Sequence, residues 1–511
     1  MTLPPVLLRF GPFGLGFGAG AVMAQGLAPV SFVGAGPLAV FVIGALFRNI
    51  GTSARAGWLG WVFGAGYFCV GLSWITEPFQ VDAAAHGWMA PFALAGLGGG
   101  LAVFWALAFW SAARCARAHW AVIALVGTWT LAELARAYVL TGFPWAGFAQ
   151  LALPAEAALR LAPWVGAQGV GMLLLLSILP LVYLRRSRGV ALIPVCVVAV
   201  AVVLSPAPEQ KDLPLTNKTV RLVQPNAPQD EKWRPEKRWV FVERMLELTA
   251  ARGDHDLSDA VAGARPDLVI WPETAIPTLQ NHIDDVTPAL VQAAGGAELL
   301  YGIQREENGR YFNSAVVMSA EGEALDIYDK RHLVPFGEYM PLPHLWERFG
   351  VFGLAARAAA GYAPGARHML LDTSVGRALP LICYEGVFAQ NVGAAPSRPD
   401  FLVLITNDAW FGSYSGPYQH LVQAQLRAAE QGLPMLRAAN TGVSAVIDPY
   451  GRIRDRIGLG VAGYLDGDLP QPLPPTLYSY SGDWLVLLLA LLIGSVATLP
   501  RLWSNSSRTL A

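Results

Sequence analysis

The sequence divides into long apolar runs and a polar region in which apolar runs are short. Residues 1–206 contain long uncharged stretches, and residues 207–480 carry most of the acidic and basic side chains. A helix rises about 1.5 Å per residue, so roughly 20 predominantly apolar residues cross about 30 Å of hydrocarbon. The segments that meet this requirement are residues 6–26, 29–47, 57–76, 89–112, 119–139, 163–184, 189–206 and 483–501. The pattern predicts an α-helical membrane bundle of eight spans.

Arginines in the short loops predict the orientation of this bundle. With the amino terminus inside, the outer loops hold only Arg160. The inner loops and the segment after the last span hold Arg48, Arg55, Arg114, Arg117, Arg185, Arg186, Arg188, Arg501 and Arg508. Positive side chains collect on the cytoplasmic side of membrane proteins. The polar region, inserted between spans seven and eight, is therefore expected on the outer side.

The polar region has the alternation of an α/β domain. Short apolar runs predict strands at residues 220–224, 267–271, 298–304, 313–319, 379–383, 401–406 and 444–448. Helix-length stretches, such as residues 238–251 and 418–431, lie between several of them. Such alternation favours a sheet covered by helices. We therefore expect a membrane domain of seven helices at residues 1–206, a catalytic domain at 216–472 and an eighth helix at 483–501.

Composition agrees with a membrane protein and argues against nucleic-acid binding. The 511 residues are 54% hydrophobic and 14% charged, below the roughly 25% charged residues of soluble domains. The net charge is -1 and no long basic run is present, so the footprint of a nucleic-acid partner is missing. Of the four cysteines, Cys383 is the one thiol in the polar region, which excludes a disulfide within that region.

Three stretches carry reactive side chains, two of them at the ends of predicted strands and the third in a loop. DLVIWPET ends in Glu273 and Thr274, LPLICYEG carries Cys383, and YDKRHLVPFGEYMP carries Lys330 and Glu338. A cysteine nucleophile needs a base, for which Glu273 is the candidate, and the developing oxyanion needs a cation such as Lys330. Taken singly, each has a structural alternative: a buried thiol, a helix N-terminal acid or a surface lysine. Their joint occurrence favours catalysis.

The ordered motifs WPET, YDKRHLVPFGEYMP, CYEGVF and NDAWF, on a domain between apolar spans, resemble the bacterial apolipoprotein N-acyltransferases. These form a membrane branch of the nitrilase, or carbon-nitrogen hydrolase, superfamily. The resemblance covers essentially the whole chain. It implies a nitrilase-like α-β-β-α sandwich, a triad of Glu273, Lys330 and Cys383, and no metal or organic cofactor.

The same resemblance implies a reaction and a location. An acyl chain would pass from a phospholipid, typically phosphatidylethanolamine, to the α-amine of the diacylglyceryl-cysteine that begins an apolipoprotein. A thioester on Cys383 would be the intermediate of this ping-pong reaction. The protein would be a multi-pass monomer of the bacterial inner membrane, with its catalytic domain on the periplasmic side.

Further residues enter through this resemblance. Glu338 is expected to support the triad, and Tyr384 and Glu385 to shape the site, although a structural salt bridge is an equal alternative for Glu385. Trp233, Trp410 and Phe411 are expected to contact substrate. Exposed tryptophan also anchors domains at a membrane interface, so the sequence leaves both roles open.

One stretch of the polar region is unusually apolar. Residues 343–361 include Phe349 and Phe352, and exposed apolar patches usually mark a partner or membrane contact. We expect a mobile arm here that dips into the outer leaflet and guides acyl chains. The alternative is a helix packed on its own domain.

Two other functions share part of these features. A membrane-tethered amidase or nitrilase would use the same triad and give the acyl-enzyme to water. The eight predicted spans favour a lipid over a soluble substrate. The other alternative is a transporter or scaffold whose outer domain only binds. Transporters place ionisable groups at the bilayer midplane, where Glu133, which can pair with Arg136 on the same helix face, is nearly the only one.

Overall fold

The computed structural model describes residues 5–116, 120–205, 209, 213–252, 265–342 and 361–506. The chain forms two compact units. A helical unit comprises Met1–Thr76, Trp88–Ala207 and Thr476–Ala511, and a sandwich unit comprises Glu77–Gly87 and Pro208–Pro475.

In the helical unit, a helix overlaps each of the predicted apolar segments. The helices are Pro5–Ala24, Ala35–Arg48, Ser53–Gly71, Ala90–Cys115, Ala121–Tyr138, Ala157–Ile178, Arg188–Leu204 and Trp484–Ser506. Thr52 and Ser187 cap two of them by accepting backbone hydrogen bonds from Arg55 and Val190. Gly166 breaks the helix Ala157–Ile178 at φ 65°, where a Cβ atom would lie 2.1 Å from the Tyr478 ring. Only glycine therefore fits at this kink.

Length and composition support fewer membrane spans than the eight predicted. Among the described residues, Ala83–Cys115 and Ala157–Tyr183 are long and apolar enough to cross a membrane, and Ser53–Gly71 with Ser73–Gln80 would add a third if that pair, bent by 46°, is one span. The helix Ala35–Arg48 has only 14 residues, which gives it about 21 Å of length. Apolar helices are confirmed, whereas eight complete spans are not.

A buried ion pair crosses one turn of the helix Ala121–Tyr138. The Arg136 Nη2 and Glu133 Oε2 atoms lie 2.6 Å apart, and both side chains are buried. The Trp105 indole donates to Glu133 Oε1 at 2.8 Å. Arg136 Nη1 donates to the carbonyl of Trp145 at 2.7 Å and also to that of Phe143. The pair therefore fixes the following loop, which is a structural role.

The sandwich unit consists, in its described residues, of two six-stranded sheets. The first has the order β12-β1-β2-β3-β4-β5 and the second the order β11-β10-β9-β8-β7-β6. Their bounds are β1 Leu215–Gln224, β2 Leu268–Ile270, β3 Glu298–Glu307, β4 Arg310–Met318, β5 Ala324–Asp329, β6 Leu371–Thr373, β7 Gly376–Ile382, β8 Phe401–Thr406, β9 Met435–Ala439, β10 Ser444–Ile447, β11 Ile453–Ile457 and β12 Gly463–Pro470.

Alternating side chains build three apolar layers around the sheets. Leu222 of β1 and Val403 of β8 meet in the core between the sheets. Neighbouring residues on the same strands face outward, because successive side chains of a strand point to opposite faces. Val223 packs with the helices Arg238–Ala250 and Thr287–Ala294, and Leu402 packs with the helix Gly416–Gln431. The predicted α-β-β-α sandwich is confirmed.

We predict that Glu133→Ala strongly destabilises the helical unit. The substitution leaves the buried Arg136 guanidinium without its carboxylate partner, which should lower the free energy of unfolding by about 3–5 kcal/mol. Denaturation in mixed detergent micelles measures this change. The double variant Glu133→Ala/Arg136→Met is the control, since it removes the unpaired charge and should recover part of the loss. A single variant as stable as wild type would contradict the prediction.

Candidate active site

The predicted triad residues follow three strands of the sandwich. Glu273 lies three residues after β2, Lys330 follows β5 directly, and Cys383 follows β7. The first two belong to one sheet and Cys383 to the other. The charges of Glu273 and Lys330 both act on the Cys383 thiol. The stacking of the sheets therefore brings together side chains that are far apart in the sequence.

The turn that carries Glu273 is pressed against β3. Gly302 donates its N–H to the Pro272 carbonyl at 3.2 Å and accepts from Ala275 N–H at 2.7 Å. A Cβ atom at position 302 would lie 2.6 Å from Glu273 Cα. Thr274 adopts φ 45°, a costly conformation for a β-branched residue. The position of Glu273 is thus fixed by close backbone contact and local strain.

Both carboxylate oxygens of Glu273 accept hydrogen bonds. Asn313 Nδ2 donates to Oε1 at 2.7 Å, and the Asn407 backbone N–H donates to Oε2 at 2.8 Å. Lys330 Nζ lies 3.7 Å from Oε1. These donors hold the carboxylate in place within the buried site.

Lys330 is shared between Glu273 and Glu338. Its Nζ atom lies 2.8 Å from Glu338 Oε1, and its side chain is buried. Burial alone would lower the pKa of Lys330, but the charges of Glu338, Glu273 and Cys383 raise it above its ordinary value. Val334 N–H donates to Glu338 Oε2 at 2.8 Å. Lys330 is therefore a fixed cation beside the thiol, and Glu338 anchors it.

Cys383 occupies a strained position at the start of the 3-10 turn Cys383–Val387. Its φ is 51°, in the left-handed region that non-glycine residues seldom adopt. Burial, followed by the charge of Glu273, raises the pKa of the Cys383 thiol, while Lys330 and a hydrogen bond from Thr406 oppose the rise. The resting sulfur is a neutral thiol at neutral pH, so its attack requires a base.

Glu385 links the cysteine turn to the loop after Lys330. Its Oε2 accepts from Ile382 N–H at 2.9 Å. Its Oε1 accepts from Tyr328 Oη at 2.8 Å and from the backbone N–H groups of Arg331 and His332 at 2.8 and 3.1 Å. Burial raises the pKa of Glu385 despite these bonds. The charge of Lys330 also acts on this carboxylate, and the role of Glu385 stays a prediction.

Tyr384 belongs to an aromatic cluster beside the cysteine. Its ring lies 5.5 Å from the His332 ring and 4.8 Å from the Phe388 ring, both edge to face. His332 and Phe388 stack at 3.8 Å. This packing stabilises the turn after Cys383.

The aromatic residues expected to contact substrate occupy different surroundings. Trp233 and Trp410 are half-buried. Phe411 packs against the core between the sheets and meets the His420 ring edge to face at 5.6 Å. Phe349 and Phe352 lie outside the described residues. Substrate contact by these aromatic residues stays a prediction.

Comparison with known proteins decides the family. Residues 19–179 match the model of the apolipoprotein N-acyltransferase N-terminal domain, and residues 219–472 match that of the carbon-nitrogen hydrolases. The apolipoprotein N-acyltransferase of Rhodopseudomonas palustris is 38% identical over 89% of this chain and 88% of its own length. That of Bradyrhizobium diazoefficiens is 37% identical over 91% and 90%. The chain belongs to the apolipoprotein N-acyltransferase family.

A comparison of structures adds a weaker likeness. An amidase from Nesterenkonia sp. AN1 is 18% identical, with a TM-score of 0.35 over 50% of this chain and 94% of that chain. This score is too low to support an argument about the site.

Several site residues escaped the sequence-based prediction for this family member. They are Lys232, Asn313, Thr406, His420 and Arg437, all buried. Asn313 and Arg437 lie within β4 and β9, where an unpaired polar side chain is costly. A polar residue inside an otherwise apolar strand was the available signal. Its partner was not visible in the sequence.

Lys232 supports the strained turn that carries Glu273. Its Nζ atom donates to the Glu273 carbonyl at 3.2 Å and to Thr274 Oγ1 at 3.1 Å. Burial lowers the pKa of Lys232 to about 8, against the charge of Glu273, which raises it.

In the described part of the chain, no group of three or more His, Cys, Asp or Glu side chains is placed to hold a metal.

We predict that Gly302→Ala lowers acyltransferase activity by about a hundredfold. The new methyl group would displace the Glu273 turn, and a shift of about 1 Å at a catalytic group costs on this order. Steady-state rates, with melting temperature as a folding check, measure the effect. Gly463→Ala on β12 is the matched control, because a Cβ atom there meets nothing within 4 Å. Equal rates for the two variants would refute the steric argument.

We predict that deprotonation of Lys232 makes the fold more stable as the pH rises from 8 to about 10.5. The folded-state pKa of about 8 lies below the ordinary 10.5, so the unfolded chain binds the proton more tightly. The penalty is complete below pH 8 and disappears above 10.5, a gain on the order of 3 kcal/mol. Lys232→Met should lack this gain. Melting temperatures of both proteins from pH 7 to 10.5 test it, and parallel curves would contradict the burial of a charged Lys232.

Proposed function

We propose that this chain transfers an acyl chain from a phospholipid to the α-amine of the N-terminal diacylglyceryl-cysteine of apolipoproteins, through a thioester on Cys383. One observation carries the proposal. A buried ammonium, Lys330, lies 3.7 Å from the Glu273 carboxylate, and both charges act on the buried Cys383 thiol. A base, a cation and a nucleophile are the groups that acyl transfer requires. The family relationship favours transfer over a membrane-tethered amidase or nitrilase.

The first half-reaction acylates the enzyme. The Cys383 sulfur attacks the ester carbonyl carbon of the phospholipid while its proton passes to Glu273. Lys330 stabilises the oxyanion of the tetrahedral intermediate, and one such donor is commonly worth about 3 kcal/mol. The carbon–oxygen bond then breaks, and the departing lysophospholipid oxygen takes the proton from Glu273. A thioester remains on Cys383.

The second half-reaction forms the amide. The lipoprotein amine attacks the thioester carbonyl, and Glu273 accepts a proton from the attacking nitrogen. The carbon–sulfur bond breaks and the Cys383 thiol is restored with that proton. A thioester suits this step because it reacts with an amine far more readily than an unactivated ester does. The same base serves both halves.

Surrounding residues hold this geometry. We assign Glu338 to the fixation of Lys330 and Glu385 with Tyr384 to the fixation of the cysteine turn, on the hydrogen bonds and ring contacts described above. For substrate contact, the proposed residues are Trp233, Trp410, Phe411, Phe349 and Phe352.

The proposal also covers the acyl donor, the oligomeric state and the membrane topology. The acyl donor is phosphatidylethanolamine and the working form is a monomer. The protein spans the bacterial inner membrane eight times, with the helices of residues 1–206 and 483–501 in the bilayer and the catalytic domain of residues 216–472 on the periplasmic side. The apolar helices of the helical unit support the membrane assignment.

We predict that phosphatidylethanolamine alone adds one acyl mass to the wild-type protein, because the diacylated lipoprotein that would discharge the thioester is absent. Intact mass spectrometry measures the adduct. Cys383→Ala should show none, and Glu273→Gln should slow its formation by about 10²- to 10⁴-fold. A diacylated lipopeptide added afterwards should discharge the adduct and become triacylated.

Two results would reject this function. An adduct that persists in Cys383→Ala would place the acyl group elsewhere. Discharge to a free fatty acid in the presence of the lipopeptide would identify a hydrolase instead.

A further inference from the structure

A second buried polar cluster lies around β8, β9 and the helix Gly416–Gln431, next to β7 in the sheet that carries Cys383. It consists of Thr406, Asp408, His420 and Arg437, here called the Asp408 cluster, and all of these side chains are essentially inaccessible to solvent. The reaction proposed above does not use them. Buried polar groups in such a number require mutual satisfaction, and their hydrogen bonds lead back to the cysteine.

Strand pairing places Thr406 beside Cys383. The last paired positions of the parallel strands β7 and β8 are Ile382 and Ile405. Cys383 and Thr406 are the next residues along these two strands, at the carboxyl ends of adjacent strands. A hydrogen bond from the Thr406 side chain opposes the rise in the pKa of the Cys383 thiol. Strand register places the Thr406 side chain next to the reacting atom.

The hydroxyl of Thr406 has one hydrogen and two possible acceptors. Thr406 Oγ1 lies 2.9 Å from Asp408 Oδ1. Burial alone would raise the pKa of Asp408, but Arg437 and His420 hold it at about 2, so Asp408 is a carboxylate and only accepts. In the resting enzyme the hydroxyl donates to Asp408, since a neutral thiol is a weak acceptor.

Asp408 has other partners besides the Thr406 hydroxyl. His420 Nδ1 lies 2.9 Å from its Oδ1, and Arg437 Nη2 binds its Oδ2. The carboxylate therefore keeps two charged or polar partners when the hydroxyl turns away. His420 Nε2 lies 3.2 Å from the Cys383 carbonyl oxygen. One carboxylate is thus connected, through Thr406 and through His420, to both the sulfur and the backbone of Cys383.

We propose that Thr406 is a further catalytic residue, whose hydroxyl turns from Asp408 to the Cys383 sulfur when the sulfur carries negative charge. The proposal rests on the proposed role of Cys383 as nucleophile. In acylation the thiol proton goes to Glu273, the electron pair stays on sulfur, and Thr406 donates its hydrogen bond without losing its proton. In aminolysis the same bond stabilises sulfur as it leaves the tetrahedral intermediate. Asp408, held by His420 and Arg437, is a positioning residue for this hydroxyl.

The test compares Thr406→Val, which keeps the shape and removes the hydroxyl, with Thr406→Ser, which keeps the hydroxyl. The first readout is the rate of Cys383 alkylation by iodoacetamide between pH 7 and 10.5 in the detergent-solubilised full chain. Cys69, Cys115 and Cys196 are also free thiols, so they are replaced by alanine in every protein compared. Thr219→Val, on β1 of the other sheet, is the matched control for loss of a threonine hydroxyl.

Thr406→Val should shift the alkylation profile to higher pH and slow alkylation at pH 8 by about tenfold to a hundredfold, the usual worth of a hydrogen bond to a charged group. Acyl-enzyme formation from phosphatidylethanolamine should slow by a similar factor. Thr406→Ser should stay within about threefold of wild type, and Thr219→Val should match wild type. A purely structural threonine would change the melting temperature without moving the pH profile.

Two outcomes would overturn the proposal. One is a Thr406→Val profile identical to that of wild type. The other is an equal loss in Thr406→Ser and Thr406→Val, which would assign the effect to packing of the methyl group. Alkylation needs no lipid, so it reports on Thr406 even if no acyl adduct forms, and the absence of an adduct in wild type would reject the proposed function alone.

Discussion

The structure depends on the burial of Lys330 between two carboxylates. An isolated ammonium in a low-dielectric interior would lose its proton, because burial disfavours the charged form. Glu338 at 2.8 Å and Glu273 at 3.7 Å reverse that tendency. Two carboxylates around one cation leave a negative excess, which neutral donors offset. Asn313 Nδ2 donates to Glu273 and reaches Glu338 at 3.3 Å.

This charge balance explains why two sheets are needed. Glu273, Lys330 and Glu338 come from the sheet that contains β2 and β5, whereas Cys383 follows β7 of the other sheet. Glu385 joins the two by accepting from Ile382 beside the cysteine and from Arg331 beside the lysine. Separation of the sheets would break these bonds and expose the ion pair to water at once. Core packing and active-site geometry are therefore one property of the fold.

The sequence predicted the parts of this arrangement that are local. Apolar runs located strands such as β7 and β8, because buried strands have continuous apolar sequences. The strands β5, β6, β9, β11 and β12 were not predicted. All but β9 are edge strands; β5, ALDIYD, is largely exposed, and β12, GYLDGDLP, carries aspartates and glycines. The inner strand β9, MLRAA, is short and carries Arg437. Eight spans were expected from apolar length, yet Ala35–Arg48 forms a shorter helix than its apolar segment.

The same difference between local and long-range features applies to the active site. Glu273 and Cys383 stand out because each follows an apolar run, and all three triad residues lie in recognisable motifs. The partners that hold them do not, since Asn313 meets Glu273 across 40 positions and His420 meets Cys383 across 37. Such pairings depend on sheet register, which local patterns do not specify. A short sequence motif reveals a reactive group, and only the fold shows what surrounds it.

The remaining question is why a nucleophile should rest as a thiol whose pKa is raised. A permanent thiolate would add a third negative charge to the buried carboxylates Glu273 and Glu338, and it would be open to oxidation. The neutral thiol avoids both. Negative charge then appears on sulfur only when an acyl carbonyl is in place to receive the electron pair, and Lys330 can stabilise the oxyanion formed in the same step. Fixed donors act strongly in such a site because no water competes with them. Burial of the cysteine thus keeps the sulfur uncharged until the acyl carbonyl of the substrate is in place.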